Sequence, residues 1–320
     1  MRIGVLTSGG DAPGMNAAIR GIVRVAAGND IEVFGIERGY KGLLANEMLL
    51  LSKRSVSGMI QRGGTMLMTA RCPEFEQYEY RRQAAEILTN RRIDGLVVIG
   101  GDGSFHGMEA LWKEFGVRCV GIPGTIDNDL AYTDFTLGFD TAVNTAVSAI
   151  NNLRDTMSSH ERVVVVQVMG RHCGDIALYA GIAGGAEVIL VPEHPIDYDE
   201  VSRKLVGNKK AGKQSGIIVL AEGAAPVDEV IREINARTPE LTVRSTVLGY
   251  IQRGGAPSMS DRLLASKMAY RAVELLKEGK GGRVVGIRDN HIMDEDVTEA
   301  LARPRRVEEN LYKLANLLSI

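Results

Sequence analysis

The sequence has little net charge, few cysteines and no long apolar run, and each shortage removes a class of function. Lys and Arg number 38 against 40 Asp and Glu, a formal charge of −2. Without a global basic field, neither nucleic acid nor an anionic membrane is an expected partner, and any anion must be bound locally. The three cysteines, Cys72, Cys119 and Cys173, lie far apart with no C-x-x-C pair. That argues against a zinc site and a disulfide framework, and it fits a reducing cytosol. No apolar run approaches the roughly 18 residues of a membrane span. Arg2 leads straight into Ile3-Gly4-Val5-Leu6, leaving no room for a signal peptide, so a cytoplasmic protein is expected. Low-complexity segments and fixed-period repeats are missing as well.

Proline is scarce beside glycine, 9 against 37. With ordinary hydrophobic content, that excess points to turns near a ligand and not to disorder. A chain of 320 residues exceeds the size at which one core usually keeps growing, so two lobes are expected. Short apolar runs at 3–6, 96–99, 119–122, 163–168, 188–191, 217–220 and 284–287 alternate with amphipathic stretches. The pattern predicts an α/β fold of two doubly wound, three-layer lobes with mainly parallel sheets. The stretch 307–318 reads as a capping helix. In such sheets ligands bind beyond the carboxyl ends of the strands, which is where the glycines cluster.

Those glycine loops carry the chemistry. In "TSGGDAPGMNAAIR" a strand ends at Leu6 and a helix starts near 14–16, so free amides could receive a phosphate; an ordinary helix entry is an equal alternative. "GGDGS" (100–104) puts Asp102 where polyphosphate would approach the backbone. A carboxylate there suits a hard cation such as Mg²⁺, or it caps a helix starting near Phe105. "PGTIDND" places Asp127 and Asp129 two apart, on one side if the segment is extended, where one could take a proton. Arg171 in "MGR" and Arg71 in "TARCP" end strands or turns and could neutralise a moving phosphoryl group. Arg20 and Arg24, four apart on a helix, read first as a solvated face.

Taken together, "TSGGDAPGMNAAIR", "GGDGS", "PGTIDND", "MGRHCGD", "AEG" and "QRGG" resemble the bacterial ATP-dependent 6-phosphofructokinase family in order and spacing, along essentially the whole chain. The resemblance implies a nucleotide-binding lobe at 1–138 plus 251–302 and a sugar-phosphate lobe at 139–250 plus 303–320. By it, Gly10, Arg71, Cys72, Gly103, Ser104 and Gly107 line the ATP site, and Asp102 serves Mg²⁺. Asp127 is then the general base toward the 1-hydroxyl of fructose 6-phosphate, with Thr125 and Asp129 positioning groups and Arg71 and Arg171 stabilising charge. Met169, Gly170, Glu222, Tyr250 and Arg253 hold the sugar phosphate. Arg162 and Arg244 reach a neighbouring subunit's site in a homotetramer. Arg20, Arg24, Lys53, Ser57, Arg154, Gly185, Glu187 and Lys213 match an effector site for ADP or phosphoenolpyruvate, with Glu187 as a second Mg²⁺ partner.

Glycine at 103 and 124, where pyrophosphate-dependent relatives typically carry Asp and Lys, implies ATP as donor. Tyr250 departs from the family's usual histidine, and Ala211, Gln214 and Ser215 depart from its basic residues. A non-catalytic nucleotide sensor would need only the phosphate loops. The joint presence of Asp127, Asp129, Arg71 and Arg171 therefore argues for a kinase.

Overall fold

A computed structural model describes residues 1–305 and 308–318. The chain begins β1 (Arg2–Thr7), α1 (Met15–Ala27), β2 (Glu32–Ile36), α2 (Gly39–Leu44), β3 (Met48–Leu51), α3 (Tyr78–Asn90), β4 (Gly95–Gly100), α4 (Asp102–Phe115), β5 (Cys119–Thr125) and β6 (Leu137–Gly138). It continues α5 (Phe139–His160), β7 (Val163–Val168), α6 (Asp175–Ala183), β8 (Val188–Leu190), α7 (Tyr198–Lys210), β9 (Gly216–Ala221), α8 (Val227–Arg237) and β10 (Val243–Val247). The last elements are α9 (Met259–Lys277), β11 (Arg283–Arg288), β12 (His291–Asp296), α10 (Val297–Leu301) and α11 (Glu309–Leu318). The expected capping helix is α11, and Val307 lies outside the described residues. No helix among the described residues is long and apolar enough to cross a membrane.

The chain divides into two compact units, one of residues 1–126, 130–141 and 253–305, the other of 127–129, 142–252 and 306–320. The first unit holds an eight-stranded sheet ordered β12-β11-β5-β4-β1-β2-β3, with β6 beside β5. Its pairs are parallel except β2–β3 and β11–β12. The second holds a four-stranded sheet, β10-β7-β9-β8, parallel throughout. The fold is therefore α/β with mainly parallel sheets.

Central strands are legible because a strand covered on both faces needs continuous apolar residues. Each of β4 and β9 is buried at all six positions. The strands outside the predicted runs are mostly edges: β3 and β12 pair antiparallel, and β10 leaves Arg244, Ser245 and Val247 exposed. Inside the first unit, α1 lies close on α9. A Cβ on Gly21 would come 2.6 Å from the Cβ of Ala269, so a larger residue there would force the helices apart.

One buried carboxylate pins the first unit where the chain leaves it. Asp261, 1% exposed, accepts the Gly138 N–H at 2.8 Å and the Thr141 N–H at 2.9 Å, with the Thr141 hydroxyl at 2.5 Å. Asp261→Ala orphans these donors and should cost about 3 kcal/mol in a denaturant titration. Burial raises the Asp261 carboxyl pKa above its ordinary value, with the hydrogen bonds opposing. The folded state therefore favours the protonated form, and its stabilising contribution is lost as pH rises through the raised pKa. The thermal midpoint of Asp261→Asn should gain on the parent across that rise; parallel pH curves would contradict this.

Candidate active site

In the first unit the strand order reverses between β1 and β4, and such a reversal opens a crevice at the carboxyl ends of the strands. The loops 7–14 and 100–104 leave those two ends. At the first, Gly14 takes φ +108° before α1, a conformation that glycine alone adopts freely. A Cβ on Gly10 would lie 3.1 Å from Nη1 of Arg253, so this arginine covers the loop. Arg253, expected among the sugar-phosphate residues, thus stands in the first unit beside an expected ATP residue. The irregular segment leading to Arg71 is held by side chains of α1 and β1. The buried Asn16 side chain donates to the carbonyls of Arg62 and Gly63 and accepts the Met66 N–H at 2.7 Å, and the Thr7 hydroxyl donates to Met68 O at 2.8 Å. Sequence reasoning missed Asn16, although a polar residue on the apolar face of α1 was the signal. Arg71 is exposed and forms no ion pair among the described residues.

The second loop corrects one expectation. Helix α4 starts at Asp102, three residues before Phe105, with Gly101 as its cap and no side-chain capping bond. Asp102 therefore occupies the first helical position and does not cap. Its side chain is 58% exposed, with His106 Nε2 3.7 Å from Oδ2. An exposed carboxylate with oxygen ligands to offer fits a hard cation. Gly103 has open space where a Cβ would go, whereas at Gly107 a Cβ would press on the rings of Tyr40 and Phe75 at 3.1–3.2 Å. Those rings stack with centroids 4.0 Å apart, and Tyr40 donates its hydroxyl to Ser104 O at 2.6 Å. A side chain at 107 would thus have to displace these rings by a few tenths of an ångström, whatever it contacts outside. Cys72 is half-buried nearby in sequence, its thiol pKa pushed up by burial. Gly124, inside β5, has Ile99 and Met15 side-chain carbons 3.0 Å from the Cβ position.

The di-acidic loop is also not extended as expected. Asn128 takes φ +53°, which asparagine tolerates better than most residues, so the chain turns between Asp127 and Asp129. Thr125 ends β5 in the first unit, whereas 127–129 belong to the second. There the sheet order turns around β7 and β9, and their carboxyl ends carry "MGR" and "AEG". Asp127 is 5% exposed, and Nε of Arg171 lies 3.6 Å from its Oδ2. The Arg171 backbone, at φ +52°, donates its N–H to Glu222 Oε1 at 3.0 Å. Gly170 at φ +134° and Gly223, where a Cβ would fall 1.8 Å from Arg171 O, let these turns interlock. Met169 N donates to Oε1 of the fully buried Gln252, another residue missed from sequence. Asn128 Nδ2 donates to Asp175 Oδ2 at 3.0 Å. Cys173, Asp175 and Glu193 present ligand atoms within 4.8 Å of one another, a grouping not seen from sequence. Glu193 accepts the Gly174 N–H at 2.8 Å. His172 is exposed, and Tyr250 is 79% exposed.

Arg162 precedes β7, and Arg244 pairs with Val164 near the amino end of β10, so both stand at the opposite sheet end from Arg171. At ~3.3 Å per residue, β7 alone separates Arg162 from Arg171 by roughly 20 Å. Arg162 shares a cavity of about 230 Å³ with Lys213, Gln214, Ser215, Leu205 and Leu241. The expected effector residues divide. Arg154 donates to the carbonyls of Gly184 and Gly185, and its Nη1 lies 3.5 Å from Glu187 Oε1, with Lys213 Nζ at 3.7 Å from the same oxygen. Glu187, 3% exposed, accepts Ile217 N–H at its other oxygen, so both its oxygens are engaged. Arg20, Arg24, Lys53 and Ser57 belong to the first unit, with no ion pair among the described residues.

A family described as Phosphofructokinase matches residues 2–276. A Clostridium acetobutylicum protein named ATP-dependent 6-phosphofructokinase is 56% identical over 99% of both chains. Phosphofructokinase from Saccharomyces cerevisiae superposes with a TM-score of 0.88 at 34% identity, covering 99% of this chain and 46% of that one. This chain thus spans less than half of the yeast chain's length. A pyrophosphate-dependent phosphofructokinase from Marinobacter aquaeolei, 22% identical over 97% of this chain and 86% of its own, shares the fold with a TM-score of 0.86.

Proposed function

The chain belongs to the phosphofructokinase family, and from that premise we propose that it transfers the γ-phosphoryl group of ATP to the 1-hydroxyl of fructose 6-phosphate, giving fructose 1,6-bisphosphate and ADP. The observation that carries this reading is the buried Asp127 carboxylate beside the Arg171 guanidinium, on a turn clasped by Glu222. Asp127 accepts the proton as the sugar oxygen attacks. Arg171 offsets charge on the transferring group, and Arg71 adds a second cation. Phosphoryl transfer needs mainly such positioning and electrostatics. Thr125 and Asp129 orient the reacting groups. Gly10, Cys72, Gly103, Ser104 and Gly107 line the nucleotide, and Met169, Gly170, Glu222, Tyr250 and Arg253 the sugar phosphate.

Asp102 would hold Mg²⁺, which supplies charge neutralisation on the phosphates; its exposed carboxylate suits that ion. At Glu187 a cation would have to compete with Arg154 and Lys213 for Oε1. Arg154, Gly185 and Lys213, with Arg20, Arg24, Lys53 and Ser57, form the proposed effector site for ADP or phosphoenolpyruvate. The nucleotide-binding lobe corresponds to the first unit and the sugar-phosphate lobe to the second. Work in the cytoplasm accords with these substrates.

Because Arg162 and Arg244 lie at the far sheet end, they serve a neighbouring subunit's site in a homotetramer. Sizing with activity readout should find turnover only in the assembled form; a fully active monomer contradicts this. Tyr250 offers one hydrogen bond and no cation near neutral pH. Tyr250→His should lower the half-saturation for fructose 6-phosphate severalfold, most at acid pH, and an unchanged value would remove the idea. The kinase assay with an Asp127→Ser control tests the whole reading.

A further inference from the structure

We infer that the cavity at the amino ends of β7 and β9 is a binding site for a small aliphatic carboxylate, a ligand which the kinase reading does not use. The cavity measures about 230 Å³ and lies wholly within the second unit. Drug-sized ligands fill pockets of about 300–1,000 Å³, so its occupant is smaller. The apolar lining is Val163, Leu205 and Leu241, buried members of the core cluster that α7 and α8 cover. The charged lining is cationic in balance, with Arg162, Lys209 and Lys213 against Glu161. Two of these cations are already engaged, since Lys209 Nζ donates to Glu240 O at 3.0 Å and Lys213 Nζ lies 3.7 Å from Glu187. Arg162 forms no ion pair among the described residues. Its planar guanidinium matches a carboxylate with two parallel hydrogen bonds.

Asn208, in the last turn of α7, is an independent sign of a ligand. Its carbonyl accepts the Lys213 N–H at 3.0 Å, which folds segment 211–216 back over the helix end. Its side-chain Nδ2 lines the same cavity, buried and with no hydrogen-bond partner among the described residues. A buried donor is costly unless an acceptor reaches it. A carboxylate held by Arg162 brings that acceptor, and its alkyl body covers Val163, Leu205 and Leu241. Inorganic phosphate has no apolar part to set against those three side chains, and a nucleotide exceeds the volume. The cavity is also separate from the proposed effector cluster. Of that cluster only Lys213 lines it, and the Lys213 ammonium is turned to Glu187.

Saturation-transfer NMR of the intact protein with sodium butyrate tests this. It needs no substrate in the parent measurement, so its outcome is independent of the kinase reading. Expected are saturable transfer with a dissociation constant on the order of 1 mM, little transfer to neutral butyramide, and no displacement of butyrate by equimolar phosphate or ADP. Leu241→Phe fills the cavity and should abolish binding. Asn208→Asp sets a like charge against the carboxylate and should weaken binding about tenfold or more. Asn208 is half-buried at a helix end, so this variant avoids the folding risk of a core substitution, and its melting temperature should stay near the parent's. No saturable transfer, equal transfer to butyramide, or parental affinity in Asn208→Asp would overturn the inference. Displacement by ADP would overturn it by placing butyrate in the effector cluster, and displacement by phosphate by showing that the apolar wall is not read.

Discussion

Asp127→Ser should lower ATP-dependent phosphorylation of fructose 6-phosphate by about 10²- to 10⁴-fold, the usual contribution of a positioned general base. Serine is smaller and cannot accept the proton near neutral pH, but it leaves the loop's turn at Asn128 intact. Binding of both substrates should persist, because Asp127 acts on the attacking hydroxyl and not on the phosphates. The variant also removes the partner of Arg171, which stands 3.6 Å away and is 63% exposed, so the freed guanidinium remains hydrated and the fold is spared a buried charge. A fall in turnover with an unchanged melting temperature is the expected pair of results. Equal loss of binding and turnover would instead make Asp127 a binding group.

Gly103→Asp should have the next largest effect, on choice of donor. The site has no heavy atom within 4 Å of the added Cβ, so the substitution starts into open space. Its charge is what matters. A carboxylate about 4 Å from a nucleotide phosphate, at an effective dielectric of about 20, opposes binding by about 4 kcal/mol before relaxation and screening. Roughly 100-fold loss in kcat/KM for ATP is therefore expected, with a normal melting temperature. Gly124→Lys contrasts with it, because its Cβ would crowd Ile99 and Met15 at 3.0 Å inside β5, so its cost falls first on stability. Rates with ATP, rates with pyrophosphate and a thermal melt on each variant separate charge from crowding. An unaltered ATP rate in Gly103→Asp would remove residue 103 from the nucleotide site.

How much was legible in the sequence depended on whether the signal was local. Buried parallel strands such as β4 and β9 declare themselves as unbroken apolar runs. Edge strands such as β10, with Arg244 and Ser245 exposed, carry no such run. The glycine loops were found because a close backbone approach leaves a compositional mark, as at Gly170 and Gly223. Their conformations were less readable. Asn128 bends a segment that spacing alone would leave extended, and α4 begins early because Gly101 caps where an acid seemed the better candidate. The supports were hidden for a different reason. Asn16, Gln252 and Asp261 act through partners dozens of residues away, and no spacing rule joins such pairs before the chain is folded.

The central claim is ATP-dependent phosphorylation of fructose 6-phosphate, and the most direct test is the initial rate of ADP release by purified protein with Mg²⁺, ATP and fructose 6-phosphate, beside the same mixture with pyrophosphate in place of ATP. The account predicts ADP release that requires the sugar phosphate, and little turnover with pyrophosphate. Turnover with pyrophosphate alone, or nucleotide binding without turnover in either mixture, would contradict it.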